Sequence, residues 1–158
     1  MFSKSFIAAV VAAVVGAVGV AAESHTITFI NKCGSGTPTI VNQAGKVVST
    51  GNSYTINGSF VGGRAFLVNG FCKSDGVGCT VVEMTLDDSR VSAADISLIS
   101  PFAFSTPAAF AFTGGCDGAS NSCTSAKCCP TGAYCTPTDD QATRACTAKN
   151  VGLEITFC

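Results

Sequence analysis

All ten cysteines of this 158-residue chain lie beyond residue 22, and one of them, Cys158, is the final residue. An even count in an exported chain points to a disulfide framework, here of five bridges, and such bridges dictate which segments can be neighbours. A chain end frays unless something ties it down, so a terminal cysteine is a candidate tie. The closing stretch VGLEITFC alternates Val151, Leu153, Ile155 and Phe157 with Gly152, Glu154 and Thr156. That period of two reads as a half-buried strand. The metal alternative would place zinc on the cluster from Cys116 to Cys135. Adjacent Cys128 and Cys129 are poor ligand spacing, no histidine is nearby, and an oxidising compartment withdraws free thiolates. No metal is expected there, and no nucleotide or redox cofactor is implied.

Export is read from residues 1–22. They hold one early basic residue, Lys4, an apolar run from Phe6 to Val20, and small Val20 and Ala22 at the −3 and −1 positions of a cleavage site. The expected product is a secreted, extracellular domain spanning residues 23–158. A chain of that size buries roughly two-thirds of its unfolded surface. It carries eight basic against ten acidic residues once Lys4 is removed. No basic cluster stands out, so nucleic acid and anionic lipid are not expected partners. No second stretch is apolar enough to span a membrane, and a monomer is expected.

Strand signals recur and helix signals are weak. HTITFIN (25–31), NSYTIN (52–57), GRAFLVNG (63–70), CTVVEMTL (79–86) and ADISLI (94–99) are short β-type runs separated by turn chemistry such as QAGK, STGNS, NGS and SDGVG. In CTVVEMTL, Val82, Met84 and Leu86 share one face, and Val81, Glu83 and Thr85 the other. An all-β sandwich or barrel is expected. Residues 114–148 differ: six cysteines, little periodicity and many small residues read as a stapled loop region beside the sandwich. The Ala/Phe-rich PFAFSTPAAFAF (101–112) offers four phenylalanines, expected in the core rather than as a sugar-stacking platform.

An ordered set of motifs now resembles a known family. TITFINKC and LEITFC resemble the two terminal strands of thaumatin-like proteins. Between them, GGRAF, TVVEMTL, ADISLISPFAF, GGCDGASNSC and CCPTGAYC resemble successive segments of the same family, in family order and over almost the whole exported chain. Full-length members are longer and richer in cysteine. This chain is similar to the small ten-cysteine subclass, in which the second, cysteine-rich domain is mostly deleted. The resemblance implies a disulfide-stapled antiparallel β-sandwich. It also implies the pairs Cys33–Cys158, Cys72–Cys79, Cys116–Cys146, Cys123–Cys128 and Cys129–Cys135. Spacing alone does not choose among the last four cysteines.

Chemistry centres on two carboxylates. Glu83 lies on the non-core face of its expected strand, and Asp95 opens the next segment, also off the core face. Paired carboxylates are what glycoside hydrolysis requires. Many thaumatin-like proteins have an acidic cleft linked to β-1,3-glucan binding and, in some, to weak endoglucanase activity. Carried over, the family's Glu falls on Glu83 and its first Asp on Asp95. Its second Asp falls on Ser100 and its Arg near Gly76, and the last Asp belongs to the missing domain. Arg64 is a candidate glycan contact or an ion-pair partner for Glu83, and Asp95 a candidate turn cap. Tyr54 and Tyr134 are further candidates for stacking on sugar. The only histidine, His25, is expected to be mobile beside the cleavage point, which leaves a Ser-His-Asp or Cys-His scheme without a base. Asn57 opens a glycosylation sequon in an expected turn. The expectation is a secreted glucan-binding protein in defence or wall remodelling, leaning against enzymatic activity. The alternatives are an interaction protein, such as an enzyme inhibitor or effector with a secreted protein partner, and a weak endo-β-1,3-glucanase.

Overall fold

The computed structural model describes residues 22–158, so the expected leader lies outside the described residues save for Ala22. In chain order the strands are β1 (Ser24–Asn31), β2 (Thr37–Val41), β3 (Val47–Thr50), β4 (Tyr54–Asn57), β5 (Phe60–Val68), β6 (Val81–Leu86), β7 (Ser92–Ser97), β8 (Ala108–Thr113), β9 (Ser120–Cys123), β10 (Arg144–Cys146) and β11 (Gly152–Phe157). They form a five-stranded sheet, β4-β1-β11-β8-β9, and a six-stranded sheet, β10-β7-β6-β5-β2-β3. Among the described residues no helix is long and apolar enough to cross a membrane.

The strand ladders are antiparallel with one exception: β1 pairs in parallel with β11, from Ile27↔Leu153 to Asn31↔Phe157. Parallel neighbours finish at the same end of the sheet. Asn31 and Phe157 are level, the Lys32 amide donates to the Phe157 carbonyl at 2.9 Å, and Cys158 follows at once. That places it beside Cys33, and the Cys33–Cys158 disulfide closes there with a Cα–Cα distance of 5.1 Å. Four more disulfides complete the set: Cys72–Cys79, Cys116–Cys146, Cys123–Cys128 and Cys129–Cys135.

The main core lies between the sheets. Ile27, Phe110, Phe112, Leu153, Ile155 and Phe157 come from the five-stranded sheet, and Ile40, Leu67, Val82, Met84, Leu86 and Ile96 from the other. Each such side chain, fully buried, stabilises the fold by roughly 1.5–3 kcal/mol relative to exposure. Phe110 and Phe112 meet edge to face in this core, which is where the Ala/Phe-rich segment places half of its phenylalanines.

Three features depart from the sequence expectation. The cysteine-rich segment is not merely a loop region: β9 joins one sheet beside β8 and β10 joins the other beside β7, so residues 114–148 lend an edge to both layers. Val81, on the face opposite the main core, is also fully buried. The loop closed by Cys72–Cys79 covers that end of the sheet, and Val41, Phe66, Cys79 and Val81 form a second small core there with Phe102 packed against it. His25 is not mobile. It is the second residue of β1, its side chain is wholly inaccessible, and it pairs across the sheet with Ile56 of β4.

The terminal disulfide closes a loop of 125 residues. Chain-entropy arguments put such a closure at about 5 kcal/mol as an upper figure. A Cys33→Ala/Cys158→Ala double variant is therefore expected to lose about 2–5 kcal/mol in urea unfolding. An unchanged midpoint and slope would contradict the tie assigned to these residues.

Candidate functional site

Cross-strand register builds the site. On the outer face of the six-stranded sheet, Arg64 of β5 stands opposite Glu83 of β6, and Glu83 stands opposite Asp95 of β7. Directly opposed residues hold their Cβ atoms about 4.5–5.5 Å apart. The three therefore form one row across three adjacent strands, each partly buried. Asp95 is in the middle of β7 and caps no turn. The ladder continues one strand further. Arg144 of β10 pairs with Ala94, so Thr143 falls level with Asp95, and the Tyr134 hydroxyl lies 2.6 Å from Thr143 Oγ1.

Arg64 does not pair with Glu83. Among the described residues no carboxylate oxygen lies within 4.0 Å of its guanidinium. The guanidinium instead lies 5.9 Å from the centroid of the Phe102 ring and reaches towards the turn at Gly45. A cation over an aromatic face is attracted by the ring's quadrupole and keeps its N–H donors free at the edges. Phe102 is fixed in turn by the segment it ends, where its amide donates to the Ile99 carbonyl at 2.9 Å. The Ala103 amide, donating to the Cys79 carbonyl at 3.1 Å, sews this segment to the Cys72–Cys79 loop.

Asp95 carries the unusual electrostatics. Burial pushes its carboxyl up to about 7, and the negative charge of Glu83 opposite adds to the rise. Its Oδ1 is buried with no hydrogen-bond partner, and so is Oγ of Ser97, two residues on and on the same face of the strand. A carboxyl that holds its proton near neutrality can both donate and accept.

The other candidates sit elsewhere or cannot serve. Gly76 takes a left-handed backbone at φ 92°, and a Cβ there would stand 3.1 Å from the Phe66 ring, so no arginine fits that position. Ser100 brings no carboxylate. Tyr54 is packed edge to face on Phe60 at the margin of the main core, 6.0 Å between centroids. Asn57 closes the edge strand β4 and is exposed. A shallow depression of about 340 Å³ on the outer face of the five-stranded sheet, lined by Ala109, Ala111, Ser120, Ser122, Glu154 and Thr156, was not legible in the sequence. It holds one carboxylate and no cation, against two carboxylates and an arginine in the row on the six-stranded sheet, which is the stronger site.

The Asp95 shift has a signed consequence. The unfolded chain releases this proton near 3.8 and the folded chain near 7, so between those values the folded state binds more protons. Stability therefore falls as pH rises through that window. An Asp95→Asn variant has no proton to lose there. Relative to the variant, the wild type is expected to lose stability between about pH 4 and pH 7, by no more than about 1.4 kcal/mol per unit, less in proportion to the partial exposure of the group. Urea unfolding of both proteins across that range checks this, and a flat difference would contradict it.

No family model matches the sequence, and no curated protein matches it. The fold has solved counterparts. A thaumatin-like xylanase inhibitor is 16% identical over 84% of this chain and 97% of its own, with a TM-score of 0.54. That likeness is one of architecture, and it joins the two-sheet topology and the five disulfides of a small chain. The fold of this protein is the thaumatin-like fold, in a small, cysteine-rich form.

Proposed function

We propose that this chain works outside the cell as a lectin-like binder of a neutral, hydroxyl-rich wall polysaccharide of the β-1,3-glucan class, in defence or wall remodelling. The binding row is Arg64, Glu83 and Asp95. The observation that carries the reading is the cross-strand row itself, Arg64, Glu83 and Asp95 in register on one sheet face, with no carboxylate among the described residues paired to Arg64. A sugar hydroxyl both donates and accepts. The row offers guanidinium donors, a carboxylate acceptor and a carboxyl that can do either, spaced along an open sheet face where an extended chain could lie.

Binding without cleavage fits this layout better than hydrolysis. Glycosidases place two carboxyl groups on opposite sides of the scissile bond in a site closed to water. Here Glu83 and Asp95 stand side by side on one sheet, and Ser100 offers no third acid. A second reading has its own observation. Phe71, 83% exposed, stands next to the Cys72–Cys79 staple, and aromatic side chains on rigid loops are typical anchors for a protein partner. The structurally similar protein is itself described as a xylanase inhibitor.

Pull-down of the oxidised protein at mildly acidic pH on insoluble β-1,3-glucan, beside chitin and cellulose, separates these readings. Selective retention on the glucan is expected, at least tenfold weaker in a Glu83→Ala/Asp95→Ala variant and unchanged in Phe71→Ala. Failure on every polymer would overturn the glucan reading. Capture of a secreted glycoside hydrolase that Phe71→Ala abolishes would then support the inhibitor reading. Release of soluble sugar that is lost in Glu83→Gln would overturn binding without cleavage.

A further inference from the structure

A second cluster, independent of the acidic row, lies where β1 begins. Glu23, His25 and Asp88 converge there, with ligand atoms all within 4.8 Å of one another. The His25 side chain is wholly inaccessible, while those of Glu23 and Asp88 are 26% and 14% exposed. His25 Nδ1 lies 2.7 Å from the Val151 carbonyl oxygen. A carbonyl only accepts, so Nδ1 carries a ring hydrogen. Nε2 then faces Glu23 Oε1 at 3.0 Å and Asp88 Oδ1 at 3.9 Å. A bare lone pair on Nε2 would point at two carboxylates inside the protein, so a positive centre belongs between them. It is either a second ring proton or a metal ion.

Two observations favour the metal ion. A proton on Nε2 reaches Glu23 alone, because 3.9 Å to Asp88 is beyond a hydrogen bond. Finally, the ligands are already oriented. The Asp88 amide donates to Glu23 Oε1 at 2.8 Å, the Asn150 amide donates to Asp88 Oδ1 at 2.6 Å, and each oxygen keeps a second lone pair for the centre. Ligating histidines characteristically give their other N–H to a carbonyl or carboxylate, as His25 does.

We propose that Glu23, His25 and Asp88 form a binding site for a divalent transition-metal ion of the zinc class. One imidazole nitrogen and two carboxylate oxygens suit that class, with bonds of about 2.0–2.2 Å that small rotations of the two carboxylates provide. Three protein ligands would leave a fourth position of such an ion to water. The ion would tie the first strand to the β6–β7 turn at Asp88 and, through Asn150 and Val151, to the start of β11.

The test is calorimetric titration of the tag-free, EDTA-stripped and desalted protein with zinc chloride. It is paired with NMR of the His25 ring, which is unambiguous because the chain has one histidine. Saturable one-to-one uptake that shifts the His25 resonances is expected, weakened at least tenfold in Asp88→Asn. That variant keeps an oxygen for the Asn150 amide. Glu23→Gln serves as the second variant if the first fails to fold. No saturable uptake, equal affinity in a folded variant, uptake that leaves the His25 ring unperturbed, or tighter uptake of calcium than of zinc would each overturn the assignment.

Discussion

The parallel pairing of β1 with β11 is the constraint on which the rest depends. It brings the two ends of the described chain side by side in the middle of one sheet, so neither end is an edge. Edge strands offer unpaired backbone and invite wrong partners, and a central position removes that hazard from both termini. The parallel direction also decides where the last cysteine falls. An antiparallel neighbour would carry Cys158 to the opposite end from Cys33, and the terminal disulfide could not close. Long-range parallel pairing is slow to find because a long loop must close first, and a covalent tie at its end holds that gain once it is made.

The opposite sheet carries the candidate site. Its inner face supplies half of the main core. Its outer face is divided between an apolar end, roofed by the Cys72–Cys79 loop and Phe102, and a polar row. The roof sets the electrostatics next to it. Arg64 packs on Phe102 rather than neutralising Glu83, so the Glu83 charge acts on Asp95 instead of being cancelled. An ion pair between Arg64 and Glu83 would have left Asp95 with burial alone to raise it. The same side chain thus serves packing on one neighbour and, by its absence, the protonation of another.

Much of this was legible in the residues. The alternation in HTITFIN, TVVEMTL and VGLEITFC marks three of the strands that build the two sheets, because one face of each meets the core. β2, with Pro38 near its start, and the three-residue β10 carry too little pattern to announce themselves, and their pairing is imposed by neighbours. Cysteine spacing bounds the pairing without choosing it, since geometry across sheets is not written in sequence distance. Glu83 and Asp95 were legible as outward carboxylates, and the register makes them adjacent. The fate of Arg64 was not, because it depends on a phenylalanine 38 positions away that a loop brings underneath it. His25 shows the same limit. Nearness to a cleavage point suggests mobility, whereas pairing with Ile56 and the carbonyl of Val151, a residue 126 positions away, hold it.

The measurement that bears most directly on this account is a carbon-13 NMR titration of the Asp95 side-chain carboxyl, repeated with a soluble β-1,3-glucan oligosaccharide. A midpoint near 7 in the free protein, moved by the oligosaccharide, is the predicted result. A midpoint near the ordinary 3.8, unmoved by the sugar, would contradict both the electrostatics of the row and its role in binding.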